Sequence, residues 1–182
     1  TGDFNRDGMT DIALVGPETW KTLPVAFSFG NGWFNVTNED VSHSSWAGNF
    51  SFAYFAKGNA KVVTGDFNRD GMTDLAAVGG AGSSQVTLAV SYGNGTFDMK
   101  EVHEPVFASW AASPGVKILT GDFNKDGLTD LALTGGRRYR LGAIHIGIRS
   151  GSKVGCPYTR TSALREAGGS SLYHKAQKGV RM

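Results

Sequence analysis

Three acidic loops with one order of residue types are the part of this sequence that could do chemistry. Each reads Asp-Phe-Asn-basic-Asp-Gly-X-Thr-Asp, and the loops cover residues 3–11, 66–74 and 122–130. Oxygen-bearing side chains fall at loop positions 1, 3, 5 and 9, and Gly stands at position 6, where the chain must turn sharply. Ca²⁺ takes about six to eight oxygen ligands, and alternation brings positions 1, 3 and 5 to one side of a tight loop. The spacing therefore predicts a calcium site in each loop, with the backbone carbonyl of position 7 as a further ligand.

The loops are not EF-hands. Position 12, where an EF-hand has its bidentate Glu, is Leu14, Ala77 or Leu133, and no helices are predicted on either side. A solvated acidic turn, in which Asp and Asn only form the turn, is the alternative interpretation. Three copies, each bringing three carboxylates within a few ångströms, favour the calcium site because the like charges need a cation.

An internal repeat carries the loops. The segments that contain them begin at residues 1, 64 and 120 with TGDFNRDGMTD, TGDFNRDGMTD and TGDFNKDGLTD. Weaker similarity links LPVAFSFGNGWF at 23–34 to VTLAVSYGNGTF at 86–97. The whole unit therefore repeats, at spacings of 63 and 56 residues, and we expect the longer spacing to reflect an insertion around 42–49.

Each unit is predicted to be β structure. KVVTGD, DLAAV and VTLAVSY are short apolar and β-branched runs bounded by Gly, Asn and Asp, and no stretch of about 11 residues sustains a helical period. Gly-Asn-Gly at 30–32 and 93–95 accepts the positive φ that a hairpin turn requires. The predicted order is a strand ending at Thr-Gly-Asp, the acidic loop, two further strands, the GNG turn and a fourth strand near 97–102. Such a meander has the size of a propeller blade.

The loops, the strand after each of them and the FGNG and YGNG turns resemble the FG-GAP or VCBS repeat family over about residues 1–136. Members of this family form β-propellers, among them the integrin α-subunit head, several secreted lectins and microbial surface proteins. The resemblance implies an all-β fold of three four-stranded antiparallel blades in an incomplete ring, with three Ca²⁺ sites. The ligands that it implies are Asp3, Asn5, Asp7, Met9 and Asp11 in the first loop, Asp66, Asn68, Asp70, Met72 and Asp74 in the second, and Asp122, Asn124, Asp126, Leu128 and Asp130 in the third.

Composition and charge limit the remaining possibilities. No run of the 182 residues reaches the about 20 apolar residues that a membrane helix needs, so a spanning segment is not expected. Residues 1–136 carry 8 basic against 15 acidic residues, whereas residues 137–182 carry 10 against 1. We expect residues 137–182 to finish the third blade and then to continue as a basic, irregular extension. This extension has no paired nucleic-acid-binding motif, and no nucleic-acid partner is predicted.

Tryptophans that do not repeat are candidates for binding a ligand. Trp20, Trp33 and Trp46 lack aromatic counterparts in the second unit, and a flat apolar ring matches the C–H face of a sugar. Plain packing is the alternative for all three. Tyr54 and Trp110 occupy equivalent positions in two units and are expected in the core.

No catalytic residue is predicted. The four His show no metal-ligand spacing, the Gly-rich segment 79–84 lacks the Lys of a phosphate loop, and Cys156 lacks a His partner. The sequence therefore favours a noncatalytic, extracellular calcium-binding module that binds a carbohydrate or a protein. The alternatives are the propeller part of a secreted lyase or hydrolase with its catalytic residues outside this chain, and a purely structural repeat. Because about four to eight blades close a propeller, we also expect self-association or further blades from a longer chain.

Overall fold

The computed structural model describes residues 1–41, 50–80 and 84–135, together with the backbone of two short strands at 142–144 and 161–163. These residues form three antiparallel sheets and two short helices, which confirms the predicted all-β class. In chain order the elements are β1 (Ile12–Ala13), β2 (Val25–Ser28), β3 (Phe34–Thr37), α1 (Phe52–Phe55), β4 (Lys61–Gly65), β5 (Asp74–Val78), β6 (Gln85–Ser91), β7 (Phe97–His103), α2 (Pro105–Ala111), β8 (Val116–Gly121), β9 (Asp130–Gly135), β10 (Gly142–Ile144) and β11 (Thr161–Ala163).

The second sheet is a meander in the order β4-β5-β6-β7, as the sequence predicts. The acidic loop 66–74 joins β4 to β5, and the register pairs Gly65 with Asp74 across the mouth of the loop. The GNG turn joins β6 to β7, where Gly93 and Gly95 adopt φ of 79° and 93°. Only a residue without a Cβ takes these angles at low cost, so the turn chemistry determines where the hairpin lies.

The first sheet has three strands, β1-β2-β3, and not the four that were predicted for every repeat. The residues that form the leading strand in the other two repeats have no counterpart before Thr1 in this sequence. At the place of the leading strand, Gly2 pairs with Asp11 in an isolated bridge. The mouth of the first acidic loop therefore keeps the pairing seen in the second.

The third sheet runs in the order β11-β10-β9-β8. Its strand β10 lies near the start of residues 137–182, which were expected to finish the third blade. Strand β11 pairs with β10 and falls inside the stretch that was expected to be irregular. A backbone edge left open by β10 accepts this short strand. The rest of 145–182 lies outside the described residues.

Two apolar cores lie between successive sheets. The first joins Phe4, Val25 and Phe27 of the first repeat to apolar residues of β5, β6 and β7. The second joins the opposite face of the second sheet and Phe67 to Leu131 and Leu133 of β9. Each sheet therefore packs face to face on the next one, and the acidic loops stand at one end of this stack.

The two helices are short, four and seven residues, and occupy equivalent links between successive sheets. Phe107 and Ala111 of α2 are buried in the second core, and Trp110 packs against it, as expected. Tyr54 of α1 is half-buried and stacks on Phe50 with ring centroids 4.0 Å apart. Neither of these helices has the length or the apolar character to cross a membrane.

Candidate metal-binding loops

All three loops share one internal hydrogen-bond pattern. The backbone amide of position 5 donates to Oδ1 of the residues at positions 1 and 3, at 3.0 to 3.2 Å. The amide of position 6 donates to Oδ2 of position 1 at 2.9 Å in every loop. Side-chain oxygens from positions 1 and 3 therefore converge on the same side of the loop, which is what the spacing predicts.

The backbone of each loop passes through the left-handed region twice. The basic residue at position 4, which is Arg6, Arg69 or Lys125, has φ of 62° to 63°, and the Gly at position 6 has φ of 84° to 85°. Position 7 then donates its amide to Oδ1 of the position-5 Asp at 2.8 to 2.9 Å. The same path in three separate loops indicates that the local sequence sets the shape.

The Asp at position 9 differs from the others because it is buried. In the second repeat, Asp74 accepts hydrogen bonds from the amides of Phe67 at 2.8 Å and Ser91 at 2.9 Å. Asp11 makes the equivalent bonds, both at 2.9 Å, to the amides of Phe4 and Ser28. This carboxylate joins the start of the loop to the end of β6 in the second sheet and of β2 in the first, a structural role that the spacing alone does not reveal.

In the second loop, two further carboxylates act electrostatically on the buried carboxylate of Asp74. The pKa of Asp74 is raised to about 7, first by burial and also by the charges of Asp70 and Asp66, whereas the hydrogen bonds from the amides of Ser91 and Phe67 lower it. A buried carboxylate near two others is costly to ionise unless a cation is close by. A positive charge near Asp74 would therefore favour its ionised form.

The donor set of each loop suits a hard cation. It consists of three carboxylates, one amide oxygen and one backbone carbonyl, all of which are oxygen donors of the kind that Ca²⁺ takes. Within residues 1–41, 50–80 and 84–135 no three His, Cys, Asp or Glu side chains form a ready ligand group. The loop carboxylates instead accept bonds from loop amides, and an ionised carboxylate offers about four lone-pair sites in all.

Contacts between successive loops are a feature that sequence reasoning missed. The amide of Thr73 donates to the carbonyl of Asp3 at 2.7 Å, and the amide of Asp3 donates to Thr73 Oγ1 at 3.0 Å. Thr129 and Asp66 make the same pair of bonds at 2.8 and 2.9 Å. Each Thr stands at loop position 8, and Thr occupies this position in all three repeats. This recurrence is the one sign in the sequence that could have indicated the contacts.

Arginines make a second set of links between the loops. Arg6 Nη1 donates to the carbonyl of Asp70 at 2.9 Å, and Arg69 Nη1 donates to the carbonyl of Asp126 at 3.1 Å. Both Arg occupy position 4, and both acceptors occupy position 5 of the following loop. The loops therefore form one hydrogen-bonded row along an end of the stack.

The structure separates the tryptophans that were proposed as ligand contacts. Trp33 lies at the first GNG turn and is 73% exposed. This turn lies beside the acidic loop, since Met9 of the loop is next to Gly30 of the turn. Trp20 lies in the link between β1 and β2, at the opposite end of the sheet, with its ring over Gly16. Trp46 lies outside the described residues. Exposed Phe29 also flanks the turn, a candidate contact that the sequence reasoning did not select.

Comparison with known families gives a match over the second and third loops. The model of the FG-GAP-like repeat matches residues 66–133. This range runs from position 1 of the second loop through the third loop and into β9. No curated protein matches the chain. Residues 66–133 are thus similar to an FG-GAP-like repeat.

Proposed function

We propose that this chain is a noncatalytic, extracellular calcium-binding module of the β-propeller type, whose loop end binds a carbohydrate or a protein. One observation carries the proposal. Three loops repeat the same convergence of side-chain oxygens on the position-5 amide, with a buried carboxylate behind them.

The residues that would hold the ions are the same in type in every loop. Asp at positions 1 and 5 supplies carboxylates, Asn at position 3 supplies an amide oxygen, and Met9, Met72 or Leu128 at position 7 supplies its backbone carbonyl. The position-9 Asp completes the set while its hydrogen bonds hold the loop to the end of β2 or β6. A bound calcium ion supplies positive charge that offsets the repulsion among these carboxylates.

Calcium suits this donor set better than magnesium does. Magnesium demands a near-ideal octahedral shell and keeps several waters, whereas calcium accepts a larger and less regular set of carboxylates and carbonyls. Five protein donors on one short loop match the calcium pattern. The extracellular assignment follows from affinity, since such sites in extracellular modules bind calcium at about 10⁻⁴ to 10⁻³ M.

The first GNG turn is the part of the loop end that would contact a ligand. Trp33 and Phe29 expose their rings there, and large exposed aromatic side chains on a rim offer apolar surface to a sugar or a protein. The second GNG turn has Thr96 in place of Trp33 but keeps an exposed aromatic, Tyr92. The two turns would therefore bind with different strength.

Calorimetric titration of metal-stripped protein tests the metal proposal. We expect three calcium ions per chain, and two per chain in each of the variants Asp3→Ala, Asp66→Ala and Asp122→Ala. Equal magnesium should give a far weaker response. Asp98→Ala is the matched control, because Asp98 lies outside the loops and pairs with exposed Lys100. No calcium heat from correctly folded, metal-free protein would contradict the proposal.

A glycan array in the presence of calcium tests the ligand proposal separately. Binding should fall in the Trp33→Ala variant while calcium stoichiometry stays at the original value. Trp20→Ala serves as the control, because Trp20 lies at the other end of the sheet. If neither glycans nor a panel of extracellular proteins bind, the chain is a structural repeat, and the ligand part of the proposal is wrong.

A further inference from the structure

The outer face of the first sheet exposes apolar residues whose counterparts one repeat later are buried. Val36 is 66% exposed, whereas Met99, at the same place in the second sheet, is 4% exposed. Three further pairs differ in the same direction. The exposed residues are Ile12, Leu14, Phe34 and Val36, and their buried counterparts are Leu75, Ala77, Phe97 and Met99. We call the exposed set the first-sheet face.

The buried counterparts show what such a face contacts. They belong to the first core, where the preceding repeat covers them with Phe4, Val25 and Phe27. The ring of Phe4 meets that of Phe97 edge to face at 6.2 Å. Phe4 stands at position 2 of its acidic loop, so each face of this kind is covered by a loop Phe from the repeat before it.

The third repeat carries the other half of such a contact. Phe4 and Phe67 at loop position 2 are fully buried, but Phe123 at the same position is 55% exposed. Lys125 at position 4 is also exposed, where Arg6 and Arg69 reach across to the next loop. The third loop thus presents the groups that cover a face in the other two junctions.

Polar groups beside the first-sheet face also match the internal junction. Ser91 Oγ accepts from the amide of Gly93 and donates to the carbonyl of Phe4 at 2.7 Å. Ser28 stands at the equivalent place and accepts the same bond from the amide of Gly30. Thr10, the counterpart of Thr73, is exposed at the edge of the face. The face therefore offers apolar and polar groups in the same arrangement as the internal junction.

We propose that the first-sheet face binds the third repeat of a second copy of this chain. Phe123 of that copy takes the place against Phe34 that Phe4 takes against Phe97, and its Lys125 approaches the carbonyl of Asp7. The two contact surfaces lie on different repeats, so the contact is head-to-tail. The described residues of two copies bring together six sheets, within the about four to eight that close a ring, whereas those of three copies would exceed that range. The contact is largely apolar and does not depend on the calcium proposal.

Two exposed substitutions test this contact in the full chain. Val36→Asp places a charge on the first-sheet face, and Phe123→Asp places one on the third loop. By sedimentation at tens of micromolar, the unmodified chain should have twice its mass of 19.3 kDa, and each variant alone should have that mass once. An equimolar mixture of the two variants should form a dimer again, because Val36 of one and Phe123 of the other remain intact.

Val106→Asp is the matched control, because Val106 is exposed on α2 and lies outside both surfaces. It should remain dimeric, and circular dichroism should show all three variants folded. A monomeric unmodified chain would overturn the proposal and would leave the face to a different partner or to residues 137–182. A Phe123→Asp variant that stays dimeric would overturn it too, since the dimer would then form without the third loop, as when the first-sheet faces of two copies bind each other. A mixture that stays monomeric would exclude the head-to-tail arrangement.

Discussion

Alanine substitutions at Asp70 and Asp74 should separate metal binding from the folding of the second loop. The Asp70 carboxylate accepts bonds from the Met72 amide and from Asn68 Nδ2, both within the loop. The Asp74 carboxylate instead accepts two buried amides, one of them from β6 on the far side of the hairpin. Removal of Asp74 therefore leaves two buried donors without an acceptor, and removal of Asp70 leaves none that is buried.

The expected free energies differ by condition. In chelator, Asp74→Ala should cost about 2–6 kcal/mol of unfolding free energy, because each unsatisfied buried donor costs about 1–3 kcal/mol. Asp70→Ala should cost about 1 kcal/mol or less there. For a site with a Kd of about 10⁻⁴ M and free calcium of about 1 mM, linkage adds about 1.4 kcal/mol, which both variants lose.

Thermal melts followed by circular dichroism, in chelator and in calcium, measure both quantities. A chain of this length shifts its Tm by about 2–4 °C per kcal/mol, so Asp74→Ala should melt about 4–24 °C lower in chelator, and Asp70→Ala no more than about 4 °C lower. Equal losses for the two variants in chelator would refute the structural role of Asp74. A calcium-dependent increment that Asp70→Ala leaves intact would refute the metal role of the loop.

Three further predictions compare equivalent positions. Phe67→Ala should cost about 3–5 kcal/mol of unfolding free energy in denaturant titration, because Phe67 is fully buried, whereas Phe123→Ala should cost well under half of that. Gly65→Ala should lower stability by about 1–3 kcal/mol, because the added Cβ would lie 2.4 Å from the Thr129 methyl group; Gly121→Ala meets only the Phe123 ring at 3.3 Å and should cost less in the same titration. Trp33→Ala should leave the Tm within about 2 °C, since its ring is 73% exposed, and a larger drop would assign that ring a packing role.

The sequence predicts the second repeat well because its signals are local. β-Branched runs, the GNG turn and the Asp-Gly loop each determine a few neighbouring residues, and β4 to β7 lie where those signals place them. The two helices are too short for a periodic signal, and the local sign of α2 is Pro105 in its first turn. Phe107 and Ala111 of α2 are buried between sheets, a tertiary effect that a single sequence does not display.

The candidate site divides in the same way. The convergence of loop positions 1 and 3 follows from spacing alone, since Asp3, Asn5 and Asp7 are close in sequence. The partners of Arg6 and Thr73 lie 64 and 70 residues away in sequence. Those contacts require knowledge of how successive sheets stack, and so the row of linked loops could not be derived from composition or period.

The links between the loops have a consequence for how such chains vary in length. Each repeat carries both halves of a junction. Its loop Phe and the basic residue at position 4 face the following repeat, and the Thr at position 8 faces the preceding one. Gain or loss of one whole unit leaves the flanking junctions with residues of the same type, as Arg6 with Asp70 and Arg69 with Asp126 already illustrate. A gene that encodes this repeat can therefore lengthen or shorten by unequal recombination without new compensating substitutions at the joints.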